Sequence, residues 1–257
     1  MALSEQDPPG VRGGAAADGP ARLPLRAVVF DLDGTLVDTE PRNRAMWIRL
    51  FEAHGAPYDE ALIASFAGRR GLEVLDELAH LFPGRTAEEL FAQVVSYGAA
   101  PDLPPAAPVP GAVELVRALH DADVPTAIVT SAQRPYAEAV LDDLGIRGLP
   151  AATVTAGDVA AGKPDPEGFL AAAGMLGVPP AETVAFEDAP AGVAAAKAAG
   201  MTCVGVTTTQ PARALAGADH LVANLKEVEL SPGPVLRVFG GRPRGDDPGR
   251  GDDEEYL

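Results

Sequence analysis

Two carboxylates stand two residues apart in Asp31-Leu32-Asp33-Gly34-Thr35, directly after the apolar run Ala27-Val28-Val29-Phe30. The run reads as a buried strand, and the glycine lets the chain turn sharply at its end. In open α/β sheets ligands bind at the carboxyl ends of strands, where these acids fall. In extended chain, residues 31 and 33 point to the same side. Two carboxylates in one site repel each other unless a cation or a proton relieves them. A bound Mg2+ with an anionic substrate would do so, one carboxylate acting as nucleophile and the other as acid and base. The plainer explanation of the pentapeptide alone is a strand ending in an acidic turn.

Three later features repeat the pattern. The apolar strand Thr126–Val129 runs into the hydroxyls Thr130-Ser131, ahead of a helix with Pro135 in its first turn. Hydroxyls and free N–H groups at a helix start hold phosphate oxygens, although capping alone would account for them. In Gly162-Lys163-Pro164-Asp165-Pro166 a lysine is fixed between glycine and proline, in a chain whose other lysines are Lys197 and Lys226. A surface loop charge is the bland alternative. Thr183–Phe186 leads into Glu187-Asp188 and an Ala-rich helix. Hard oxygen ligands there suit Mg2+, and acids before a helix also favour its positive end. Four such features in order, each closing a predicted strand, point jointly to an enzyme site.

Between about residues 23 and 230 strands and helices alternate: Ala27–Phe30, helix 112–122, 126–130, helix 136–144, 152–155, helix 167–176, 183–187, helix 189–199, 202–206 and a late strand 219–222. This predicts an α/β fold, a doubly wound Rossmann-like parallel sheet with helices on both faces. The interval 38–108 breaks the pattern. Ala45, Ile48 and Phe51 share one helical stripe, and Leu75, Leu78 and Leu81-Phe82 another. Thr86 with Glu89 forms a capping box before Leu90, Phe91, Val94 and Val95. The expected domains are an α/β core of residues 23–37 and 109–230 and an inserted all-helical cap, 38–108. The Gly-, Pro- and Asp-rich ends, 1–22 and 231–257, are expected to be disordered tails.

In combination, Asp31-x-Asp33-Gly34-Thr35, Ser131, Lys163 and Glu187-Asp188 resemble the four-motif signature of the haloacid dehalogenase superfamily. Val109-Pro110-Gly111, Gly162–Pro166 and Phe186–Gly192 are similar to its subgroup of β-phosphoglucomutase and sugar- or polyol-phosphate phosphatases. The resemblance runs from about Arg26 to Leu230. It implies a Mg2+-dependent phosphatase of small sugar or polyol phosphate monoesters, working through an aspartyl-phosphate under a mobile cap that excludes water. Asp31 would be the nucleophile. Asp33 would protonate the leaving alkoxide and then deprotonate water. Ser131 and Lys163 would hold the phosphate, and Asp31, the Asp33 carbonyl, Asp188 and Glu187 would hold the metal. Arg69 and Arg70 are candidate substrate ligands in the cap, with a charged helix start as the alternative; Arg42, Arg44 and Arg85 are weaker candidates.

Relatives with other chemistries are separable on residues. A haloalkanoate dehalogenase has no need of Asp33, and a phosphonatase needs a cap lysine, which residues 38–108 lack. A β-phosphoglucomutase-type hexose phosphate mutase stays open as the alternative. Those enzymes carry a histidine ten residues past the second Asp, where this chain has Asn43, and a Gly-Val-Ser-Arg cap signature where it has Gly68-Arg69-Arg70-Gly71. A catalytically idle binding or interaction protein would be expected to lack Asp31, Asp33, Lys163 or Asp188.

Charge and composition exclude other classes. At net charge −17, nucleic acid and anionic membrane are poor partners; the expected partner is a small phosphorylated metabolite, bound by a monomer. No apolar stretch reaches the roughly 18 residues of a membrane helix, and the N-terminus has no signal-like apolar segment. Cys203 is the single cysteine, so no internal disulfide forms, and a cytoplasmic location is expected.

Overall fold

In the computed structural model, which describes residues 19–242, the chain opens with β1 (Ala21–Pro24) and β2 (Ala27–Phe30). The short β3 (Val37–Asp38) leads into α1 (Glu40–His54), α2 (Glu60–Ala64), α3 (Gly71–Glu77) and α4 (Ala87–Tyr97), and β4 (Ala107–Pro108) returns from them. Then come α5 (Ala112–Asp121), β5 (Thr126–Val129), α6 (Arg134–Asp143), β6 (Ala152–Val154), α7 (Glu167–Leu176), β7 (Thr183–Glu187), α8 (Pro190–Ala198) and β8 (Thr202–Val206). The last strands are β9 (His220–Val222), β10 (Val228–Ser231) and β11 (Val235–Val238).

Six strands form one sheet in the order β6-β5-β2-β7-β8-β9, every pairing parallel. Central strands β2, β5 and β7 are buried at every residue, as a sheet covered on both faces requires. Val28, Phe30, Ile128 and Phe186 pack with Leu115 and Leu119 of α5 on one face. Val29, Ala127 and Ala185 pack with Phe169 of α7 and Ala195 of α8 on the other. From β2 the order runs outward through β5 and β6 on one side and through β7, β8 and β9 on the other. The carboxyl end of β2 is therefore the point where the winding reverses, and there a crevice opens.

The segment between β3 and β4 is helical and has its own core, including Leu50, Phe51, Phe66, Leu75, Phe82 and Leu90. The capping box Thr86/Glu89 is formed at the start of α4. Of the expected α4 stripe only Leu90 and Val94 are buried. Val95 is 59% exposed, because the stripe is wider than the core it packs on and its spare edge faces the crevice.

Two expectations are corrected. Strand does occur at the junctions, where Val37 pairs with Pro108 and Asp38 with Ala107 in an antiparallel ribbon. Two-residue strands beside prolines carry no periodicity to read. Neither are all of residues 1–22 and 231–257 tail: β1, β11 and β10 form a three-stranded antiparallel sheet, Leu23 opposite Leu236 and Leu236 opposite Leu230. Leu236 and Val238 are buried in the core under α5. Short alternating strands between Pro, Gly and Ser were masked by composition that favours disorder. Residues 1–18 and 243–257 lie outside the described residues.

Phe30 and Phe186 stack at the centre of the sheet, ring centroids 5.1 Å apart and 15° from parallel. Both side chains are fully buried, so Phe186→Ala should lose about 3–5 kcal/mol of stability, measured by urea denaturation. A loss below about 1 kcal/mol would contradict this account of the core.

Candidate active site

Sheet register brings the functional residues together. Phe30 lies beside Ile128 and Phe186, so the residues that follow them, Asp31, Thr130-Ser131 and Glu187-Asp188, leave the sheet side by side. Gly34 takes φ +90°, and an added Cβ would collide with the Asp188 carboxylate; only glycine lets the turn after β2 pass so close. Lys163 arrives from the loop after β6 and is 5% exposed. Its Nζ donates to Asp31 Oδ1 at 2.5 Å, Glu187 Oε1 at 2.6 Å and the Val129 carbonyl at 3.2 Å. Among the described residues Asp31, Glu187 and Asp188 form a group whose carboxylate oxygens lie within 4.8 Å of one another.

That group is short of positive charge. At an effective dielectric of about 20, two unit charges 4 Å apart interact by about 4 kcal/mol, so one lysine cannot offset three buried acids. Burial raises the pKa of Asp31 and raises that of Asp188 strongly, and it pushes Glu187 up to about 7. Burial works against charge on Lys163, but Asp31 and Glu187 outweigh it and hold the ammonium above its ordinary value. Buried hard-oxygen donors with surplus negative charge fit a divalent cation. Glu187 Oε2 already accepts the N–H groups of Asp188 and Ala189, at 3.1 and 3.3 Å. Both its oxygens are thus engaged, whereas Asp31 has only Oδ1 committed to Lys163. Thr35 and Thr209 donate to the two oxygens of Asp188.

Asp33 is held differently. Thr39 and Tyr136 both donate to Asp33 Oδ1, at 2.7 and 2.6 Å. Asn43 Nδ2 donates to Thr39 Oγ1 at 3.2 Å, which commits the threonine proton to Asp33. Oδ2 is the oxygen left to exchange a proton. Burial raises the Asp33 pKa, partly offset by the Tyr136 hydrogen bond. Tyr136, Thr39 and Thr209 carry no site signal in the sequence. Thr39 stands at the N-cap of α1 and was open to reading as a cap, whereas a lone tyrosine on α6 carries no local signal.

Ser131 Oγ donates to the Gly68 carbonyl of the helical segment at 2.8 Å. The crevice beyond it is a cavity of about 730 Å³ that Asp31, Asp33, Ser131 and Asp188 line from the sheet side. Arg69 also lines it, paired with Glu77. Arg70 lines a separate small pocket beside Lys163; it donates to the carbonyls of Val159 and Ala160 at 2.9 and 3.0 Å and pairs with Glu73. Its guanidinium ties the helical segment to the loop that carries Lys163.

A doubly wound sheet with a helical insertion over its switch point, bearing a buried carboxylate beside a buried lysine and a cation-seeking acid group, defines a class of hydrolase. The sequence matches the haloacid dehalogenase-like hydrolases over residues 25–200, and the chain belongs to that family. It is 48% identical over 203 residues, 79% of this chain and 95% of the relative, to validoxylamine A 7'-phosphate phosphatase of Streptomyces hygroscopicus subsp. limoneus. It is 34% identical to hexitol phosphatase A of Escherichia coli over 81% of this chain and 95% of the relative. A crystal structure of β-phosphoglucomutase from Clostridium difficile superposes with TM-score 0.69 at 25% identity, covering 80% of this chain and 93% of the other.

The acids give the metal-free protein a defined pH response. A carboxyl whose pKa is raised on folding stabilises below its unfolded value, and that stability is lost as pH rises through the folded one. For Glu187 the window runs from 4.5 to about 7. After chelation the melting temperature should therefore fall between pH 5 and pH 8, and millimolar Mg2+ should restore it at pH 8. A melting temperature indifferent to Mg2+ at pH 8 would contradict a cation site here.

Proposed function

We propose that the chain is a Mg2+-dependent phosphatase that hydrolyses phosphate monoesters of sugars or polyols through an aspartyl-phosphate on Asp31. The observation that carries this reading is the pairing at the end of β2: Asp31 bound to a buried ammonium, with Asp33 two residues on holding one free oxygen. Lys163 occupies Asp31 Oδ1, which leaves Oδ2 to attack phosphorus. Asp33, protonated with the help of its burial, gives its proton from Oδ2 to the leaving alkoxide. The resulting carboxylate then takes a proton from the water that cleaves the aspartyl-phosphate. Ser131 would exchange the Gly68 carbonyl for a phosphoryl oxygen, and Lys163 supplies fixed positive charge beside it. Asp31, Asp188, the Asp33 carbonyl and Glu187 would hold Mg2+. When bound, the ion would neutralise charge on the phosphoryl oxygens. Phosphorylated small molecules named for the relatives, a hexitol phosphate among them, support the substrate class.

The mutase alternative is disfavoured by two positions. Asn43 is engaged with Thr39, and its amide offers no acid–base group. Gly71 stands where the mutase cap signature has arginine, and a Cβ there would lie 2.5 Å from the Phe91 ring.

The test is phosphate release from a panel of monoesters with and without Mg2+. Asp33→Asn should fold and bind the ion yet lose about 10²–10⁴-fold in kcat; near-normal turnover would remove Asp33 from its role. Tyr136→Phe deletes one hydrogen bond to an ionisable carboxyl, worth about 1.5–3 kcal/mol. Its kcat should fall by about tenfold or more with KM little changed, whereas a shift confined to KM would make Tyr136 a substrate contact only.

A further inference from the structure

We infer that the leaving group is a two-ring polyol, uncharged apart from the phosphate being removed; the inference rests on the phosphatase reading above and narrows it. Three observations carry it. The first is size. A cavity of about 730 Å³ lies in the upper part of the roughly 300–1,000 Å³ range of pockets that enclose drug-sized ligands. One sugar ring and its phosphate leave much of that space unfilled.

The second is the chemistry of the far wall. With the phosphate fixed at Asp31, the leaving group extends beneath α1 and α4, where Met46, Trp47, Phe91 and Val95 line the cavity. Trp47 meets Phe66 edge-on at 5.0 Å, and Gly71 lies close beneath Phe91 and Trp47. The result is a firm aromatic surface. Sugar and cyclitol rings present C–H faces that pack on such surfaces while their hydroxyls point away, so a second ring beyond the first has a surface to rest on.

The third is charge. The cavity is lined by three arginines, and each is already bonded within the protein, two of them to carboxylates. Arg42 donates to the carbonyls of Gly98 and Pro104, Arg44 pairs with Glu60 and Arg69 with Glu77. Glu40 also lines the cavity and makes no ion pair among the described residues. A second phosphate or a carboxylate on the leaving group would have to displace these partners and would face the Glu40 carboxyl, whereas hydroxyls find an acceptor in Glu40.

The experiment compares kcat/KM for trehalose 6-phosphate and sucrose 6-phosphate with that for glucose 6-phosphate, and for fructose 1-phosphate with fructose 1,6-bisphosphate, all with Mg2+. The better two-ring ester should exceed glucose 6-phosphate by tenfold or more, and the bisphosphate should be the poorer of its pair. Val95→Trp, at an exposed position on the cavity wall, should fill the distal space and collapse the two-ring preference toward unity. Turnover of one-ring esters with no two-ring preference would overturn this inference and leave the phosphatase reading standing. A preference that survives Val95→Trp would overturn the placement of the second ring beneath α4. No phosphate release from any ester, p-nitrophenyl phosphate included, would remove the phosphatase reading and this inference with it.

Discussion

The site depends on one buried ammonium. Lys163 is held between Asp31 and Glu187 in a place where an unpaired charge would cost several kcal/mol. It does two things at once. By pairing with Asp31 it lets a carboxylate exist, ionised, at the end of a fully buried strand. By occupying Oδ1 it leaves Oδ2 as the oxygen open to a ligand. Because one lysine cannot neutralise the remaining acids, the same arrangement draws in a divalent cation. Glu187 ties Lys163 to the residues that lead into α8 through the Asp188 and Ala189 amides.

Asp33 belongs to a second network that joins core to cap. Its partners are Thr39, at the start of the first cap helix, and Tyr136, on the core helix α6. Ser131 touches the cap through Gly68, and Arg70 ties the cap to the Lys163 loop. Asp33 and Ser131 are thus both in contact with the helical segment.

Much of this was legible in the residues because buried parallel strands are written as short apolar runs, and each of these ended in chemistry. Ala27–Phe30 followed by Asp31 and Asp33, and Thr183–Phe186 followed by Glu187-Asp188, place four acids at one end of the sheet. What escaped reading was non-local. Tyr136 meets Asp33 across 103 positions of sequence, and nothing near Tyr136 marks it. The strand Val235–Val238 was hidden by neighbouring Pro and Gly, since its pairing with Ala21–Pro24 spans nearly the whole chain. The partners of the cap arginines are non-local too: Arg69 pairs with Glu77 and Arg70 reaches the carbonyls of Val159 and Ala160, contacts that no short-range pattern marks.

The central claim is that Asp31 receives the phosphoryl group. It is tested most directly in the Asp33→Asn variant with p-nitrophenyl phosphate, whose leaving group departs without an acid while the second step still lacks its base. Rapid acid quench, digestion and mass spectrometry should find one phosphoryl group on the peptide bearing Asp31, formed at the rate of the nitrophenolate burst. A burst with no adduct, or an adduct on another residue, would contradict the claim.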